Sequence, residues 1–368
     1  MNARRVPYST VRPWTAALIA GALVAGVSGC SWTLAQEPVT YPSAHQATLE
    51  RDAAALREQE IIDALGAGTS DALSASNLAS IEAPAAPAHL AALGGVYVAV
   101  PSPTLSPSPF VGSLDEAVAQ ARDGALETAQ STTDENLALL QSSIGLTHAF
   151  ALWWAQYSEL AAAPEPSASA SPGATEDAAQ PGAAEPEVTG EATPSPSAVP
   201  TVSAAPDPLG ATELVLPTTV VLGSDFTPVS SDAFVPATFA DLALAHDEAR
   251  FLYEVIAARS AGTERDDALA RRDVHAARAD EFAALAGGED PRQVTYTIPP
   301  VAVDTESSRA TTARDAEFAL GATYATMLDG VPSSDRGWVL NAAFDVYAAG
   351  ARQSGFTPDQ FPLLPGLQ

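Results

Sequence analysis

The chain has 368 residues, 46% of them hydrophobic, and carries 17 basic against 45 acidic side chains for a formal charge of −28. Every basic residue is arginine. Such a surface repels phosphate backbones and anionic lipid heads, which excludes nucleic acid as a partner; cations and basic partners stay open, beside the plainer role of a solvated acidic surface kept soluble by self-repulsion. The length allows two domains. Much of the apolar content is alanine, which favours closely packed helices.

Residues 1–29 read as a lipoprotein signal peptide. Arg4, Arg5 and Arg12 stand before an apolar run from Trp14 to Val27, and a basic front with a short apolar stretch marks a secretory signal. An uncleaved anchor helix is the competing reading, but a span needs about 20 apolar residues and this run is shorter. Val27-Ser28-Gly29-Cys30 closes the run and resembles the bacterial lipobox. The resemblance implies cleavage before Cys30 and a thioether-linked diacylglycerol on its sulfur. Two acyl chains anchor stably where one does not, at about 0.8 kcal/mol per buried methylene. Cys30 is the only cysteine, so no intrachain disulfide can form, and a lone thiol in an exported chain reads as a modification site. The expected location is the extracytoplasmic face of the bacterial cell membrane, held by lipid. Loss of the signal leaves 14 arginines against 45 acids.

Residues 30–42 read as a tether, and 43–160 as a mainly helical N-terminal region. Ser43 to Leu65 carries a helical pattern with an imperfect apolar stripe. Residues 66–92 are rich in Ser, Ala and Pro, and predict short helical pieces at best. Val96 to Val100 predicts a short strand closed by Pro101. Ser113-Leu-Asp-Glu116 is a capping box that opens a helix to about Thr128. Asp134 to Leu160 predicts a longer helix, apolar nearly all round and therefore buried. His148 within it reads as a core histidine with a ring nitrogen bonded to backbone. His45 and His89 lie in or near loop-prone sequence and carry no pattern. Trp153-Trp154 reads as core.

Residues 161–210 hold ten prolines, no aromatic residue and no arginine. A Pro/Ala/Ser/Glu composition of this kind buries too little to offset chain entropy, and predicts a disordered linker. Residues 211–236 read as an extended segment around the β-branched run Leu214 to Leu222. Residues 237–368 then predict four helices: Phe239–Ala261, Glu264–Ala286, Glu306–Leu328 and Ser334–Gln353. Helices of about 20 residues with mostly short loops indicate a four-helix bundle, and the longer crossing between the second and third suits a ferritin-like arrangement. The expected fold class is all-α.

This C-terminal part resembles the ferritin-like domain of actinobacterial lipoproteins, a family of unassigned function. The resemblance rests on Glu248-Ala249 with Tyr253, on His275-Ala-Ala-Arg278-Ala-Asp280-Glu-Phe282 followed by Leu285, and on Tyr296-Thr-Ile298-Pro299. Glu317 with Tyr324 and the tail Phe361-Pro-Leu-Leu-Pro365-Gly366 complete it. It covers about a third of the chain and implies the bundle, with no activity.

A di-iron bundle needs a glutamate on each of two helices and Glu-x-x-His on each of the other two. Glu248 and Glu317 supply the first pair. His275 has Arg272 three residues before it, and the fourth helix offers Asp345 without a histidine. Both Glu-x-x-His motifs are missing. Glu248, His275, Arg278 and Glu317 are therefore expected to form an inward polar cluster, in which cations balance buried carboxylates. A single cation on Glu248, His275 and Glu317, zinc or similar, is the alternative. No Gly-x-Ser-x-Gly elbow, Walker loop or dinucleotide fingerprint occurs. The expectation is a non-catalytic, lipid-anchored protein without a cofactor beyond the lipid on Cys30, binding or positioning another envelope component. A metal-binding or metal-oxidising bundle, and a spacer or coat role, stand beside it.

Overall fold

Helix Glu135–Ala162 buries almost every side chain between Leu137 and Ala155, the polar Gln141, Ser142, Ser143, Thr147 and His148 among them, as a helix with apolar residues nearly all round requires. It belongs to a computed structural model that describes residues 44–68, 73–97, 112–162, 234–288 and 290–367. Among these, every regular element is helical: α1 Gln46–Gly66, α2 Leu73–Leu93, α3 Leu114–Ser131, α4 Glu135–Ala162, α5 Pro236–Arg259, α6 Gly262–Ala286, α7 Glu306–Met327 and α8 Ser333–Ala351. Short 3-10 turns occupy Pro300–Ala302 and Pro358–Gln360. None of the described helices is long and apolar enough to cross a membrane. The signal peptide, Cys30, the tether, residues 163–210 of the expected linker and 211–233 of the expected extended segment lie outside the described residues.

Local sequence explains most boundaries. The Ser113 N–H donates to Glu116 Oε2 at 3.0 Å and starts α3 as a capping box. Gly287 stops α6 in the left-handed region, at φ 62°, where its missing Cβ costs nothing.

Helix α2 corrects the expectation of a broken 66–92 segment. Pro84 and Pro87 sit inside a continuous 21-residue helix. Both are exposed, as are Ser80 and Ala83, whose carbonyls the prolines leave without a helical donor, so water can satisfy them. On the other face Leu78, Ile81, Glu82, Ala85, Ala86, His89 and Leu93 are buried at helical spacing. Tertiary burial overrides the local penalty. The strand expected from Val96 is also corrected: Val96 and Tyr97 are exposed and irregular, and 98–100 lie outside the described residues.

Helices α1 to α4 form a closed set, each packed on two neighbours in the cyclic order α1, α2, α4, α3. In the second set α5 pairs with α6 and α7, and α7 with α8, while α6 and α8 make little contact. Helices α7 and α8 approach closely through reciprocal glycines. A Cβ on Gly321 would stand 2.6 Å from the Tyr347 ring, and one on Gly350 would stand 2.6 Å from the Phe318 ring. The two sets share one core, because α4 and α3 pack on α8 and the C-terminal tail folds back over them. Phe150 of α4 stacks on Phe361 of the tail at 3.9 Å. The described residues of the two expected regions, 44–160 and 237–367, therefore belong to one compact unit.

Candidate functional site

Each helical set buries one polar cluster. The C-terminal cluster starts on α5, where Leu242, Ala243, His246, Ala249, Leu252 and Tyr253 turn inward. Glu248, expected inward, is exposed instead. Leu244 and Phe251, which share the face of Glu248 at helical spacing and suggest from sequence that it turns inward, are only partly buried; Phe251 packs on Tyr296 of the crossing loop, and Glu248 lines a surface groove with Tyr296 and Ile298. His246, two residues away and so on the opposite side of the helix, takes the inward position. Helix α6 contributes Arg271, His275 and Arg278 at i, i+4 and i+7, hence on one face. Helix α7 contributes Glu317 and Tyr324, and α8 contributes Asp345.

These groups form a continuous chain. Arg271 grips Glu317 with two parallel bonds, Nε to Oε1 at 2.7 Å and Nη2 to Oε2 at 2.8 Å, and its Nη1 donates to Asp345 at 2.9 Å. Arg278 Nη2 pairs with the same Asp345 oxygen at 2.8 Å. The Tyr253 hydroxyl donates to Glu317 Oε1 at 2.8 Å. Burial pushes the Glu317 and Asp345 carboxyls up, but the guanidiniums outweigh it and hold both well below the usual carboxylate range. With Glu317 ionised, His275 must offer it Nε2–H, at 3.1 Å. His275 Nδ1 then accepts from His246 Nδ1–H at 2.9 Å, and His246 Nε2 accepts from the Tyr324 hydroxyl at 2.6 Å. Burial, reinforced on His246 by the cations around it, lowers the pKa of both imidazoles and keeps them neutral. Two guanidiniums thus balance two carboxylates, and the histidines transmit no net charge. Of the residues singled out in the sequence, His275 and Glu317 touch, Arg278 joins them through Asp345, and Glu248 stands outside. The sequence reading passed over His246 and Arg271; the Arg271-His275-Arg278 spacing was the available signal.

Beside this chain the gap between α6 and α8 opens as a cleft of about 630 Å³. Tyr253, Arg271, Arg278 and Asp345 form part of its lining, together with Tyr157 of α4 and Arg352 after α8. Its lining also holds the Arg309–Glu264 pair, joined at 2.6 and 2.9 Å.

The N-terminal cluster lies between α1, α2 and α4. His148 is buried, as expected, but the expected backbone partner is replaced by two carboxylates. Its Nδ1 meets Glu82 at 3.0 and 3.1 Å and its Nε2 meets Glu58 Oε1 at 2.9 Å. His89, read as patternless, is the histidine bonded to backbone: Nε2–H donates to the Leu363 carbonyl at 2.8 Å, and Nδ1 faces Glu58 Oε2 at 3.3 Å. Thr147 Oγ1 donates to the same carbonyl at 3.2 Å. All four acid and imidazole side chains are at most 1% exposed. Burial opposes charge on His148, but Glu82 and then Glu58 overcome it and raise its pKa to about 10. Burial likewise acts to raise Glu58, and His148 with His89 brings it down to about 2. His45, by contrast, is exposed just ahead of α1.

No family model, curated protein or solved structure matches this chain.

Proposed function

We propose that this chain is an exported, lipid-anchored helical protein that binds or positions another cell-envelope component without catalysis, on a ferritin-like C-terminal frame whose metal position arginine has taken. The carrying observation is the charge closure of the C-terminal cluster. Arg271 spans Glu317 and Asp345, so the carboxylates that a cation would need are already neutralised. A carboxylate held ionised by two bonds from one guanidinium makes a poor general base, and neutral histidines locked by both nitrogens have no free site for a proton. The cleft between α6 and α8 is the place for a partner's side chain or a small ligand, since it offers polar and apolar surface together.

Anchoring rests on the signal pattern that ends at Cys30. Labelled palmitate is expected to enter the parent and not Cys30→Ser, and the variant is expected to leave the membrane fraction. For binding, a photo-crosslinking residue at Ala270 or Ser354, both lining the cleft, is expected to capture one reproducible envelope component in intact cells. The same probe at Thr323, in the groove on the other side of α7, is expected to capture none. Equal labelling from both positions, or no reproducible product, contradicts the binding reading.

A further inference from the structure

We propose that Glu58, His89 and His148 form a binding site for one divalent transition-metal cation, in the helical set that the C-terminal resemblance does not cover. Among the described residues this is the only grouping of three His, Cys, Asp or Glu side chains whose donor atoms all lie within 4.8 Å of one another. The donors are Glu58 carboxylate oxygen, His89 Nδ1 and His148 Nε2, one from each of α1, α2 and α4. Zinc accepts imidazole nitrogen at about 2.0–2.1 Å and carboxylate oxygen at about 2.0–2.2 Å, so a small inward adjustment brings all three onto one ion.

The surroundings carry the argument further than the three ligands do. A ligating histidine nearly always donates its second ring N–H to a carboxylate or a backbone carbonyl, which fixes the tautomer and aims the other nitrogen at the metal. Both arrangements are present. His148 gives Nδ1–H to Glu82 and turns Nε2 to Glu58; His89 gives Nε2–H to the Leu363 carbonyl and turns Nδ1 to Glu58. With Nε2 donating, the His89 Nδ1 of a neutral ring is an acceptor, and it faces a carboxylate oxygen, also an acceptor. That contact needs a positive species between the two atoms, either a proton on Nδ1 or a metal ion. A divalent cation supplies it, and its two charges offset Glu58 and Glu82 with both imidazoles neutral, so the buried site is electroneutral when filled. Two imidazoles and one carboxylate, with the fourth position left to water, suit zinc, cobalt or ferrous iron rather than calcium or magnesium. A C-terminal tail segment that bonds both His89 and Thr147 through Leu363 covers the site, so the ion is held away from solvent.

The test uses the full mature chain, stripped with chelator and titrated with Co2+, whose visible bands report nitrogen and oxygen ligation. One equivalent is expected to bind, to be displaced by Zn2+, and to raise the melting temperature. X-ray absorption of the Zn2+-loaded chain is expected to count two imidazoles. Glu58→Gln and His89→Gln are expected to abolish the bands. Glu82→Gln, which touches only the outer nitrogen of His148, is expected to weaken binding by about 10–100-fold. Glu248→Gln and His45→Ala, both exposed, are expected to bind as the parent does. Circular dichroism checks that each variant is folded; if the ligand variants do not fold, the parent's stoichiometry and imidazole count decide alone. Less than about a tenth of an equivalent in the parent, no imidazole at zinc, or unchanged binding in folded Glu58→Gln overturns the proposal. None of these outcomes depends on whether the cleft between α6 and α8 captures a partner.

Discussion

His246 and His275 meet nitrogen to nitrogen, Nδ1 to Nδ1 at 2.9 Å, and one hydrogen between them makes the contact favourable. Protonating either ring would set two donors against each other, or would place a cation beside Arg271 and Arg278. Both imidazoles therefore titrate below the usual 6.5. A depressed histidine is neutral in the fold and binds its proton more readily when unfolded, so stability falls as pH drops below about 6.5. His148 in the other helical set has the opposite sign. Its pKa is raised to about 10, so its contribution is complete below 6.5 and is lost as pH rises towards 10. Melting temperatures of the chelator-treated chain across pH 5 to 10 are expected to crest near the ordinary histidine range. His246→Phe is expected to flatten the acid limb and His148→Gln the alkaline limb. A curve that climbs steadily to pH 5 contradicts the neutral histidine chain.

Glu317 and Glu248 are expected to behave very differently when neutralised. Glu317→Gln removes the charge that Arg271 grips inside the bundle, and breaking a buried pair costs about 3–5 kcal/mol. Glu248→Gln lies on an exposed face and should change stability by no more than about 0.5 kcal/mol. Urea unfolding of the two variants measures both, and comparable losses would place Glu248 inside the cluster after all.

Pro84→Ala should stabilise the protein. The proline sits in the exposed middle of α2, where alanine restores a helical N–H and is intrinsically better by up to about 3 kcal/mol. A rise in the urea midpoint with an unchanged slope is expected. A fall would mean that the proline ring makes a contact the helix depends on.

Gly350→Leu should destabilise by about 1–3 kcal/mol or more, because the new side chain must enter space already held by the Phe318 ring. The strain falls on the backbone next to Glu317, whose Cβ lies 3.2 Å from the position a Cβ on residue 350 would take. A loss of near-ultraviolet circular dichroism at constant far-ultraviolet signal would report loosened packing between α7 and α8.

Sequence alone determined that the described fold is helical and where seven of its eight helices run, to within a few residues. Each of those helices has a long apolar period bounded by a cap, a glycine or a proline, and such signals are local. It also placed His275 and Glu317 inside, because they stand where a ferritin-like bundle carries its inward ligands. It did not yield α2, because two prolines argue against a helix over any short window; only packing against α1 and α4 reveals that both point to water. The inward partner on α5 was hidden for a related reason: Leu244 and Phe251 form an apolar stripe as plausible as that of Leu242 and Ala249, and only the crossing loop that covers Phe251 decides between them. Tertiary structure also decided the Glu58, Glu82, His89 and His148 cluster. Its members come from three helices and lie up to 90 residues apart, so no spacing along the chain records their meeting. Local periodicity is written in neighbouring residues, whereas a site assembled from distant helices exists only once those helices are packed.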